Sequence, residues 1–144
     1  MLTIISVGSN KMFKAQELEY LERIKRFAKA ELVELKEDKS RHENEVIRKE
    51  GEMILARIKE RKFFALDPKG VTLSTEDFEK MIRNRGDAIF VIGGANGLSD
   101  EVKRRSEKMI SLSLMTFTHE MARVILLEQI YRALTIGRGM KYHK

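Results

Sequence analysis

The 144-residue chain has no cysteine and no tryptophan, a single proline and three histidines. The absence of cysteine excludes disulfides, thiol catalysis and cysteine-ligated zinc, and it fits a protein of the reducing cytoplasm. Three histidines without supporting ligands give no metal site. Long apolar runs are missing as well. Ala88–Ile92 and Val124–Leu127 are among the longest, far short of the roughly 20 residues that cross a bilayer. The opening Met1-Leu2-Thr3-Ile4-Ile5-Ser6-Val7-Gly8 has no basic flank and is too short for a secretory signal, so it reads as a first strand. No internal repeat, low-complexity tract or second domain is visible, and residues 1–144 are expected to form one domain.

What the chain does carry is charge, with a formal surplus of +6. A basic surplus favours polyanions such as RNA, because neutralising phosphates releases counterions. Lys11 with Lys14, the run Arg57-Ile58-Lys59-Glu60-Arg61-Lys62, and Lys103-Arg104-Arg105 read as solvated faces with one or two phosphate contacts among them.

Strand and helix patterns alternate. Leu2–Val7, Glu31–Leu35, Phe63–Asp67 and Ala88–Ile92 read as strands, the third stopped by Pro68 and Gly70. Residues 14–29 carry Leu18, Leu21, Ile24, Phe27 and Ala28 at helical spacing, and residues 43–62 carry Val46, Ile47, Ile54 and Ile58. Ser74 or Thr75 caps a helix to about Arg83, and Ser99 caps one ending near Lys108. Ile110–Met115 reads as a fifth strand or a loop. The last helix runs from about Thr118 to Ile136. It is apolar on more than one face, which predicts cover from a partner subunit, most simply in a two-fold dimer. The alternation predicts an α/β fold with a mostly parallel sheet and crossover helices.

Three constellations are candidates for chemistry. Gly93-Gly94-Ala95-Asn96-Gly97 follows an apolar strand, either as a ligand loop or as a turn needing unusual backbone angles; it matches neither a P-loop nor the dinucleotide fingerprint. His119 and Arg123 are spaced i, i+4 at a helix start, where arginine can grip an anion or complete a structural pair. Glu128 and Arg132, also spaced i, i+4, read as an ordinary helix ion pair and not as one of the three. Tyr142-His143 lies in a basic tail, Gly137–Lys144, read as flexible.

Taken in order, Val7-Gly8-Ser9-Asn10-Lys11, Lys49-Glu50-Gly51, Phe90-Val91-Ile92-Gly93-Gly94, Gly97-Leu98-Ser99, Leu112-Ser113, Met115-Thr116-Phe117, His119, Arg123-Val124, Glu128–Ala133 and Tyr142-His143 resemble the bacterial large-subunit rRNA pseudouridine-N3 methyltransferases of the SPOUT class. The resemblance covers nearly the whole chain. It implies an α/β fold with a C-terminal trefoil knot, a homodimer, and S-adenosyl-L-methionine as methyl donor. The implied substrate is a pseudouridine in a 23S rRNA hairpin at the subunit interface of the assembled ribosome. It implies that Leu66, Gly93, Leu112, Ser113, Leu114, Met115, Thr116 and Phe117 hold the cofactor, Gly93 by leaving room for close approach. His143 is expected to contact substrate or handle its proton, with His119 structural. Arg123, Arg132 and Tyr142 are expected to hold RNA near the cofactor. The chain departs from the family's usual Pro-Glu at Ala95-Asn96 and from its usual proline at Thr118. The alternative is a non-catalytic RNA- or ribosome-binding dimer on the same fold. A flavodoxin-like monomer is a further rival.

Overall fold

The computed structural model describes residues 1–144. Five strands and five helices alternate: β1 (Leu2–Val7), α1 (Lys14–Lys25), β2 (Ala30–Leu35), α2 (Glu43–Ile58), β3 (Phe64–Thr72), α3 (Thr75–Ile82), β4 (Ala88–Ile92), α4 (Asp100–Arg105), β5 (Lys108–Ser111) and α5 (His119–Gly137). The strands form one sheet in the order β2-β1-β4-β3-β5, and every pairing in it is parallel. The central strands β1 and β4 are buried at every residue, as expected of strands covered on both faces.

Strand alternation divides the core. Ile4, Phe64, Phe90 and Ile92 point to the face covered by α1, α3 and α5; Phe90 packs against Phe64 and Phe78 with ring centroids 5.4 and 5.8 Å away. Ile5, Ala65, Ile89 and Val91 point to the other face, covered by Ile54 and Ile58 of α2 and Val102 of α4. The β1-to-β2 and β3-to-β4 connections step one way across the first face. The β2-to-β3 and β4-to-β5 connections step the other way across the second face. A single crossover hand requires this division.

The sequence pattern ends the third strand before Pro68, yet β3 continues to Thr72. Both Leu66 and Val71 pair with Ile110, so residues 67–70 form a bulge. There Pro68 owes no ladder hydrogen bond, which is where a strand tolerates proline. The segment read as strand or loop is both: β5 ends at Ser111 and residues 112–118 are irregular. The multi-sided apolarity of α5 also has a partly different cause. Leu126, Leu127 and Ile130 are fully buried in this single chain, and Tyr131 packs against Tyr20 and Phe27 beside α1. Much of the cover expected from a second subunit is therefore internal.

Candidate active site

β3 pairs with β4 only through Phe64 and Ala65. Beyond these residues the two strands part, at the carboxyl ends where open α/β sheets bind ligands. The gap opens into a cavity of about 540 Å³. Leu66, Asp67 and Pro68 come to it from β3, Gly94, Ala95 and Gly97 from the turn after β4, and Ile110 and Ser111 from β5. Leu112, Ser113, Met115, Thr116 and Phe117 form a wall, and Thr118, His119 and Ala122 at the start of α5 complete the rim with Met12.

The wall is shaped by its own polar side chains. Ser111 Oγ donates to the Ser113 carbonyl at 2.6 Å, and Ser113 Oγ accepts from the Met115 amide at 3.0 Å. Thr118 then caps α5 by accepting from the Met121 amide at 3.2 Å. Threonine is a favoured residue at this N-cap position.

Two expected cofactor residues have other places. A Cβ on Gly93 would lie 2.7 Å from the Gly97 carbonyl carbon; the space beside Gly93 is filled by the returning turn and not left for a ligand. Gly93 is needed because main chain approaches main chain there. Leu114 is 88 % exposed and turns its side chain away from the cavity. The Ala95-Asn96 pair lies at the exposed tip of the same turn.

Arg123 requires a correction. Its guanidinium has no exposure, so no face of it meets RNA. It donates to Glu17 Oε2 at 2.7 Å, Glu17 Oε1 at 2.8 Å, Glu34 Oε2 at 2.7 Å and the Gly8 carbonyl at 3.0 Å. Glu17 Oε2 also accepts from Asn10 Nδ2, which reaches the Glu120 carbonyl as well, while Glu120 Oε2 accepts from the Met12 amide. The network ties the loop after β1 to the start of α5 and thereby fixes Met12 and His119 at the rim. His119 shares the helix start with Arg123 but makes no bond to it; its Nε2 faces Gly8.

A second acid is buried nearby. Glu50 is 4 % exposed; Oε2 accepts from the Asp38 amide at 3.0 Å and Oε1 has no partner. A Cβ on Gly94 would lie 3.2 Å from that oxygen. Burial pushes the Glu50 carboxyl above its usual range, with Glu37 and Asp38 adding to the effect.

The tail is docked, contrary to the flexible segment the sequence suggests. Tyr142 Oη donates to Glu128 Oε1 at 3.0 Å, and its ring meets Tyr131 edge-on at 4.8 Å. Arg132 pairs with Glu128, as its spacing predicts, and stacks 4.7 Å above the Tyr142 ring. His143 bridges Arg132 Nη1 at 3.2 Å and Glu76 Oε1 at 2.9 Å. The His143 bond holds the Glu76 carboxyl below its usual range, and burial, with bonds to Tyr20 and Glu128, raises the Tyr142 phenol. Arg132, Tyr142 and His143 thus form one group. Arg132 lies more than three turns along α5 from His119, roughly 20 Å at a helical rise.

Glu17 carries no motif signal and Glu50 appears only within the Lys49-Glu50-Gly51 resemblance, with no role attached, but both sit on apolar stripes. Glu17 precedes Leu21 and Ile24 on the buried side of α1, and Glu50 lies between Val46 and Ile54 on that of α2. An acid on an apolar stripe is the sign that marks them.

A parallel sheet with a cavity at its carboxyl ends, walled by the loop before the last helix, makes this a ligand-binding α/β protein by geometry. Residues 1–143 match the family model described as a predicted SPOUT methyltransferase, and the chain belongs to this family. It is 40 % identical over 154 residues to a Ribosomal RNA large subunit methyltransferase H from Caldicellulosiruptor saccharolyticus, the alignment covering 100 % of both chains. It is 43 % identical over 157 residues to the protein of that name from Limosilactobacillus fermentum, with 99 % of both covered. Among solved structures, a Bacillus anthracis protein described as a candidate RNA methyltransferase superposes with a TM-score of 0.57 at 14 % identity, covering 100 % of both chains. A probable methylase family protein from Haemophilus influenzae gives 0.57 at 13 % identity, over 99 % of this chain and 69 % of that one. At these identities the structural likeness concerns the fold. No helix is long and apolar enough to cross a membrane, and no group of three or more acids and histidines has the geometry to hold a metal.

Proposed function

We propose that this protein methylates N3 of a pseudouridine in a 23S rRNA hairpin, using S-adenosyl-L-methionine and acting as a homodimer on the assembled ribosome. One observation carries the reading: in a full-length match to this methyltransferase family, the expected cofactor segment walls an open cavity at the strand ends. Its volume of about 540 Å³ is within the usual range for small-molecule clefts, ~300–1,000 Å³. Its lining suits an adenosyl group, with apolar Leu66, Ile110, Leu112 and Phe117 beside main-chain and hydroxyl groups at Ser111, Ser113 and Thr116.

The cofactor, when bound, supplies a methyl group already activated on a sulfonium, so the protein's work is alignment and proton removal. Leu66, Leu112, Ser113, Met115, Thr116 and Phe117 hold it; Gly93 serves by closing the turn, and Leu114 through its main chain. Arg132, Tyr142 and His143 grip the RNA, and His143 is the residue assigned to substrate contact and the N3 proton. The target base is turned out of its stack to reach the methyl group. The tail's distance from the cavity of its own chain favours a site completed by a second copy. Met12 and Met115 at the cavity mouth, each 75 % exposed, and the outward-facing Leu114 next to Met115, 88 % exposed, supply apolar surface for that contact. The trefoil knot of the family resemblance belongs to this proposal: the segment from β4 to α5 threads to wrap the cofactor. Residues 1–144 act as one methyltransferase domain.

The test uses the purified protein, methyl-labelled cofactor and ribosomes from a strain lacking the modification. Label at pseudouridine N3 is expected. Ribosome binding without label would favour the non-catalytic alternative and overturn the enzyme reading.

A further inference from the structure

The basic groups along α2 and α4 converge at the end of the sheet opposite the cavity. Arg57 lies in the last turn of α2, and Lys59, Arg61 and Lys62 follow it. Arg104 and Arg105 end α4, and Lys108 opens β5. Three contacts bring the two segments together: Arg105 Nη2 donates to the Lys59 carbonyl at 2.7 Å, the Glu107 amide donates to the Phe63 carbonyl at 2.8 Å, and Phe64 pairs with Lys108. All seven cations are exposed. None of them forms an ion pair; Arg26, Arg41 and Arg138 are likewise unpaired, whereas Arg23, Arg48, Arg83, Arg85 and Arg132 pair with glutamates. The only acids interleaved with these cations are Glu60 and Glu107, and Glu107 is engaged by Arg85.

Unpaired like charges on adjoining segments repel one another and raise the cost of the folded state. An arrangement of this kind is relieved by a polyanion, whose phosphates release condensed counterions when they meet it. We infer that this ridge is a second RNA-backbone contact, engaging phosphates away from the nucleotide that receives the methyl group. It lies at the amino ends of β3 and β5, while the cavity lies at their carboxyl ends. The hairpin stem entering the cavity and the strand lying on the ridge are therefore different stretches of RNA. The inference rests on the rRNA reading of the cavity.

The test measures binding of the full-length protein to purified bacterial ribosomes across a salt series. Arg57, Lys62, Arg104 and Lys108 make no side-chain hydrogen bond within the protein, so Arg57→Gln, Lys62→Gln, Arg104→Gln and Lys108→Gln together leave the fold and S-adenosylhomocysteine binding unchanged. The variant is expected to bind ribosomes about tenfold or more weakly at 0.1 M salt. Its salt slope is expected to be lower by about three, since each phosphate left unneutralised removes ~0.7–0.9 from the slope. An unchanged slope and affinity overturn the inference while leaving the enzyme reading intact. An equal loss in the control Arg26→Gln, Lys29→Gln also overturns it, since bulk charge would then explain the binding. Failure of the unsubstituted protein to bind ribosomes removes the underlying reading as well.

Discussion

Arg123 and Glu17 have side chains with no exposure and are paired at 2.7 Å. Two buried charges of this kind hold each other in place more than they add net stability. Removing one strands the other. Arg123→Met is expected to lower unfolding free energy by about 3–5 kcal/mol, measured by denaturant titration. Adding Glu17→Leu is expected to restore most of that loss, because the orphaned carboxylate goes with it. A double variant as unstable as the single would show that Arg123 acts chiefly through Gly8 and Glu34.

Glu50 predicts a pH dependence of definite sign. Its folded carboxyl is raised above the ordinary 4.5 by burial, so the folded state binds a proton that the unfolded state releases. Relative to Glu50→Gln, the unsubstituted protein gains stability as pH falls from the raised folded value toward 4.5, and loses that gain as pH rises. Paired thermal melts between pH 8 and pH 4 check this. A difference between the two proteins that stays constant with pH would contradict the burial of an uncompensated carboxylate.

At the scale of elements, the site depends on how β4 turns back and how α5 begins. Thr118→Ala removes a cap worth about 1 kcal/mol and loosens the rim that Thr118 and His119 provide. Unfolding is expected to ease by that amount, with S-adenosylhomocysteine affinity falling several-fold. Gly93→Ala puts a methyl 2.7 Å from the Gly97 carbonyl carbon, and main chain cannot yield as a side-chain tip does. Loss of cofactor affinity by more than tenfold is expected in a calorimetric titration.

The elements also show what is legible in the sequence and why. Leu2–Val7 and Ala88–Ile92 coincide with the observed strands, because apolar runs between turn residues leave a fully buried strand no alternative. The continuation of β3 past Pro68 is not legible, since a bulge is a relation between two strands and β5 supplies the other half. The cavity wall at residues 112–117 is legible only through family resemblance; nothing in its spacing separates a strand from a ligand loop. Arg123 is legible as part of a pattern but not in its role, because the acids that bury it come from α1 and β2, distant in sequence.

For the whole molecule, Arg132, Tyr142 and His143 sit together on the surface of the chain, away from its cavity. The proposed homodimer would bring one copy's tail to the other's cavity. Light scattering is expected to give twice the chain mass of 16.7 kDa. Mixing a His143→Ala chain with a chain crippled at the cavity is expected to restore activity, which a site confined to one chain would not allow.

Whether the adenosyl group sits in the cavity is decided by calorimetric titration of the folded, unsubstituted protein with S-adenosylhomocysteine, repeated with Leu112→Asp and Phe117→Asp. Saturable binding that both substitutions abolish, with melting curves showing the variants still folded, is the predicted result. No binding to the folded protein, or binding indifferent to both substitutions, would contradict the placement of the adenosyl group in the cavity at the carboxyl ends of β3, β4 and β5.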